Sequence, residues 1–101
     1  MNTPKKGAVR CIIFKEDDTF YGVALEFNIV VDAETYEIAT FELHDAIRGY
    51  IDSQKKIKGS MGYAPLNQEP DAEYEKLWGL LQSNKPIPSP IRVEHYGVTR
   101  I

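Results

Sequence analysis

The chain has little cysteine, few basic clusters and no long apolar run, and each absence excludes something. Cys11 is its one cysteine, so no disulfide can form within it. Together with the lack of a signal-like N-terminus, this makes a cytoplasmic location the expectation. No apolar stretch approaches the ~20 residues that cross a bilayer, so no membrane segment is expected. Basic residues cluster at Lys5-Lys6 and at Lys55-Lys56-Ile57-Lys58, and the net charge is −3. Nucleic-acid binders usually carry a basic stripe, so direct DNA binding is not expected. Internal repeats are also absent. What remains is 101 residues with 43% hydrophobic content, enough for one domain with a compact core.

The pattern along the chain predicts an α+β fold. Ala8 to Phe14 (AVRCIIF) is β-prone, with Val9, Cys11 and Ile13 on one face and Ile12 and Phe14 on the other. Both faces are therefore expected to be covered. Lys15 to Thr19 predicts a charged hairpin loop, Phe20 to Glu26 a second strand and Asn28 to Val31 a third, giving an antiparallel meander. Asp32 and Thr35 are alternative N-caps for a helix over Tyr36 to Ser53. Tyr36, Ala39, Leu43, Ala46, Ile47 and Tyr50 make one apolar stripe that packs this long helix on the sheet. Gly49 is a costly helix interior residue, expected to allow a close approach of another element.

Beyond this core, residues 58–70 have the composition of a loop. A second helix is expected, with Pro70 at its first position and Asp71, Glu73 and Glu75 at the positive end of its dipole. Tyr74, Leu77, Trp78 and Leu81 form its buried face, and Asn84-Lys85-Pro86 stops it. Ile87-Pro88-Ser89-Pro90 reads as extended, and Ile91 to Val98 as a final strand. The expected organisation is a βββα core over 1–57, a loop over 58–70, and a helix plus final strand over 71–101 packed on the same domain.

Candidate chemistry is sparse. Asp17, Asp18, Glu26 and Asp32 could form a metal-binding carboxylate set, but they read first as turn, cap and strand-end residues. His44 is expected to face solvent, and His95 alternates with Val93 on the last strand; neither has a partner at zinc-ligand spacing. Cys11 is expected to be a buried thiol. Gly59-x-x-Gly62 is too short for a phosphate loop and follows a helix. No catalytic, cofactor-binding or metal-ligating residue is assigned.

A hairpin, a third short strand and then a helix patterned Thr35, Ala39, Leu43, Ala46, Ile47 and Tyr50 resemble the HicB-like antitoxin domain. The lead-in Tyr21 to Phe27 resembles that family's second strand, and Ile87-Pro88-Ser89-Pro90 its Ile-Pro-x-Pro segment. The resemblance covers roughly Ala8 to Asp52 plus those four residues. It implies a small, partial ribonuclease-H-like unit that neutralises a small HicA ribonuclease toxin by binding it, and that forms dimers or higher oligomers.

Three departures are visible. Ile38 stands where the family usually has Glu, which completes a capping box with Thr35. Phe41 occupies a normally polar position. Gly59 to Lys85 lengthens the spacing to the Ile-Pro segment, and no DNA-binding module is expected in the eleven residues after Pro90. Ile38 and Phe41 lie off the main stripe, so a cover is expected: the Tyr74–Leu77–Trp78–Leu81 face of the second helix, or a second subunit. Ile38, Phe41 and Trp78 are thus the candidate packing or partner surface. The expected function is binding, without enzyme activity or cofactor, to a small basic toxin whose surface is occluded. The alternatives are a free-standing HicB-like oligomerisation protein and, third, a small metal-dependent nuclease.

Overall fold

The computed structural model describes residues 7–57 and 71–100. The elements are β1 (Ala8–Glu16), β2 (Thr19–Ala24), β3 (Ile29–Ala33), α1 (Tyr36–Ile57), α2 (Ala72–Gln82) and β4 (Arg92–Arg100). The four strands form one antiparallel sheet in the order β3-β2-β1-β4, and the fold is α+β as expected. The 58–70 loop, Pro70 and Gly59-x-x-Gly62 lie outside the described residues.

The turns are tighter than the sequence suggests. Glu16 pairs with Thr19, so the first hairpin closes on Asp17-Asp18 alone. Asp17 has φ 57°, a left-handed conformation that a short polar side chain tolerates better than most. Strand β2 stops at Ala24 rather than Glu26, because Leu25 to Asn28 forms a turn in which Asn28 donates its N–H to the Leu25 carbonyl at 3.1 Å. Asn28, at φ 54°, cannot belong to an extended strand, so β3 begins one residue later than expected.

Helix α1 is capped by Thr35, whose hydroxyl oxygen accepts from the Ile38 N–H at 3.2 Å. Asp32, the alternative cap, lies within β3 opposite Tyr21. The helix runs to Ile57, one turn past the predicted end. Helix α2 starts at Ala72, not at Pro70, because Asp71 serves as its N-cap and accepts from the Glu73 N–H at 2.9 Å. It ends in a Schellman motif. Asn84, at φ 55°, donates to Leu81, and Lys85 donates to Leu80.

The two helices lie on opposite faces of the sheet. Val9, Cys11 and Ile13 join Ala39, Leu43, Ile47 and Ile51 of α1 in one core. Ile12, Phe14 and Val23 join Leu77 and Trp78 of α2 in the other. The alternation in β1 is what divides them. Gly22 marks the closest approach of α1 to the sheet. A Cβ there would lie 3.1 Å from the Leu43 Cβ and 3.3 Å from the Ala39 carbonyl oxygen. Gly49 has no such role, since a Cβ there meets nothing within 4 Å.

These two glycines give opposite expectations in urea denaturation. Gly22→Val should destabilise by about 1–3 kcal/mol, because α1 must be pushed off the sheet. Gly49→Ala should stabilise by about 0.5–1 kcal/mol through helix propensity alone.

Candidate functional site

An arginine inside a run of apolar strand residues must find partners, and Arg10 finds three. Its backbone N–H donates to Glu26 Oε1 at 2.7 Å, and its Nε donates to Glu26 Oε2. Its two terminal nitrogens donate to the two oxygens of Glu75 at 2.7 and 2.6 Å, a bidentate fork. Its guanidinium carbon lies 5.7 Å from the centre of the Trp78 ring. Arg10 thus ties β1, the Leu25–Asn28 turn and α2 together. The hydrogen bond from Arg10 holds the Glu75 carboxyl below its usual range, against a smaller opposing effect of burial. The sequence placed Glu26 at a surface strand end; instead its side chain is only 14% exposed and paired. Neither the Arg10 contact nor the role of Glu75 follows from the sequence pattern. The available signal was the charge at the third position of AVRCIIF.

The outward face of α1 is the clearest unpaired surface. Ile38 is 49% exposed and Phe41 63%. The expected cover by α2 does not occur, because α2 packs on the other face of the sheet. Trp78 does not join Ile38 and Phe41 but is buried against β1 and β2, with an edge-on contact to Tyr96. Glu34, Glu37, Glu42 and Asp45 are all exposed around the Ile38–Phe41 pair. In this segment the first basic side chain is Arg48, 3.7 Å from Asp45. The result is an apolar patch with an acidic rim.

The proposed carboxylate set is not assembled. Asp17 and Asp18 are at the tip of the first hairpin, while Glu26 follows the far end of β2. The six residues of β2 hold them roughly 20 Å apart. Asp32 is exposed on β3. Among the described residues, no group of three or more His, Cys, Asp or Glu side chains is placed to hold a metal. His44 and His95 are both exposed and on different elements. Burial pushes the Cys11 thiol up, and its sulfur lies 3.6 Å from the Thr99 hydroxyl. Near the first hairpin, Phe14, Glu16, Tyr21, Glu73, Tyr74, Leu77 and Ile91 bound a cleft of about 230 Å³. Burial there raises the Tyr74 phenol, with Glu73 and Asp71 adding to the effect.

No described helix is long and apolar enough to cross a membrane. Comparison with family models, curated proteins and solved structures finds no match to this chain.

The Arg10 clamp yields two linked expectations. Arg10→Leu should destabilise by about 1–3 kcal/mol, because it leaves the Glu26 carboxylate partly buried without its cation. The lowered Glu75 carboxyl contributes stability that is present above its unfolded value of about 4.5 and lost as pH falls through the lower folded value. In Glu75→Gln that part of the acid loss should vanish in urea titrations from neutral to acid pH. Its size should stay under about 1 kcal/mol, since Glu75 is 41% exposed.

Proposed function

We propose that the chain is a HicB-like, protein-binding domain of antitoxin type, which neutralises a small basic ribonuclease by occluding its surface. The observation that carries this is the Ile38–Phe41 patch with its rim of Glu34, Glu37, Glu42 and Asp45. Two large apolar side chains on a solvent-facing helix are costly to leave bare, and covering the exposed half or more of each stabilises a complex by roughly 1–2 kcal/mol. The acidic rim selects the sign of the partner. A ribonuclease must present positive charge to its RNA, and acidic side chains steer and seat such a surface. The order of three strands and a Thr-capped helix with Ala39, Leu43 and Ile47 turned inward agrees with the HicB-like pattern. On this reading the domain does no chemistry; it acts by shape and charge.

A second reading, a free-standing HicB-like domain that assembles with itself, draws on a different surface. Tyr96 is 41% exposed and Val98 57% exposed on the edge strand β4.

The test is a pull-down from the native cell with mass spectrometry. The expected result is a small basic protein in stoichiometric amount. Retrieval of this chain alone would sink the toxin-partner reading and leave the second. The double variant Ile38→Ala/Phe41→Ala should lose that partner, with a cost above about 2 kcal/mol for a central apolar anchor. Its own folding stability should stay within about 1 kcal/mol of the parent, because both positions are exposed and Ala favours the helix.

A further inference from the structure

The outer edge of β4 has a backbone and side-chain pattern that fits a second copy of itself. The direction of each backbone group follows from one observation. The Arg10 carbonyl accepts from Leu25, and the Arg10 N–H donates to Glu26, so Arg10 turns its backbone toward the β2 side. Its neighbours Val9, Cys11 and Ile13 therefore turn theirs toward β4, where they face Thr99, Gly97 and His95. It follows that Tyr96, Val98 and Arg100 direct their N–H and C=O groups outward. No described strand pairs with that side, since β4 ends the sheet.

Exposed edges with unpaired groups are usually short or blunted by charge or proline. This one is nine residues long, with a bulge at Glu94 that leaves His95 to Arg100 as a regular stretch. It carries two of the large exposed apolar side chains, Tyr96 and Val98. Both lie on the α2 face, because they oppose Ile12 and Arg10 of β1. Helix α1 lies over β2 and β3 and leaves the β4 edge clear.

We infer that two copies pair β4 to β4 antiparallel, with Gly97 opposite Gly97 on the two-fold axis, making one continuous sheet. The register is selected by three constraints. Outward-facing groups must meet outward-facing groups, which restricts Tyr96 to partners such as Tyr96, Val98 or Arg100. Pairing Tyr96 with itself sets the Glu94 carboxylate against the apolar Val98 and gives Arg100 no carboxylate opposite. Pairing Tyr96 with Arg100 shortens the ladder and sets Glu94 beyond the end of the partner's β4. Pairing Tyr96 with Val98 avoids both. It also sets Glu94 against Arg100 twice, once on each side of the axis.

In that register each Tyr96–Val98 pair exchanges both of its backbone hydrogen bonds, and the four side chains form an apolar seam beside Trp78. Glu94 already bends toward a cation, lying 3.6 Å from Arg92 within its own strand. The inference rests on the self-association in the second reading above. It is independent of any toxin, because every arm of its test uses this chain alone.

Light scattering across micromolar to millimolar protein should show a dimer. Val98→Pro removes an outward N–H and no bond to β1, so it should give a folded monomer. Arg100→Glu, which sets like charges opposite each other at both ends of the ladder, should weaken the dimer by about tenfold or more. The double variant Glu94→Arg/Arg100→Glu should restore it. Circular dichroism checks folding, and the charge swap stands alone if Val98→Pro fails to fold. A monomeric wild-type chain overturns the inference. So does a dimer that survives Arg100→Glu, or one that the double variant does not restore.

Discussion

The structure depends on one strand being buried on both of its faces. β1 puts Val9, Cys11 and Ile13 against α1 and Ile12 and Phe14 against the α2 side, all within a few percent of complete burial. It is also bonded along both edges, to β2 and β4. A strand in that position cannot slip by one residue, because a slip would exchange its two faces and mismatch both cores. Each of the other elements is placed by reference to it. α1 can come close because Gly22 clears its path, and α2 takes the remaining face.

Arg10 is the exception inside that strand, and it explains how α2 is oriented. A guanidinium flanked by buried residues has to keep hydrogen-bond partners, and the bidentate fork from Glu75 meets that need from a single turn of α2. Glu26 closes the other side and fixes the Leu25–Asn28 turn. The same group therefore couples local turn geometry to the docking of a helix more than sixty residues away in sequence. Packing of Leu77 and Trp78 supplies the area, and the arginine supplies the direction.

Much of the fold is legible in the sequence. The two-faced pattern of AVRCIIF, the stripe from Tyr36 to Tyr50 and the Tyr74–Leu77–Trp78–Leu81 spacing each reflect a period of two or of 3.6, and local periodicity survives folding. Misplaced details are those that depend on single backbone conformations: the two-residue turn at Asp17-Asp18, the end of β2 before Leu25, and the start of α2 after Asp71. The candidate surface is legible only in part. Ile38 and Phe41 stand out as apolar residues off the main stripe. Grouping Trp78 with them is mistaken, because sequence spacing cannot say which side of a sheet a later helix will take.

By itself the sequence determined the element types, their order, the inward faces of both helices and the acidic character of the first half of α1. These follow from side-chain period and charge, which are local properties. Tertiary structure alone decided that α2 lies across the sheet from α1, that Glu26 and Glu75 converge on Arg10, and that β4 takes the edge beside β1. Those outcomes depend on which distant surfaces compete for the same strand. Burial of both β1 faces is satisfied only when the chain returns to the second one, and that return leaves Ile38, Phe41, Tyr96 and Val98 open to solvent.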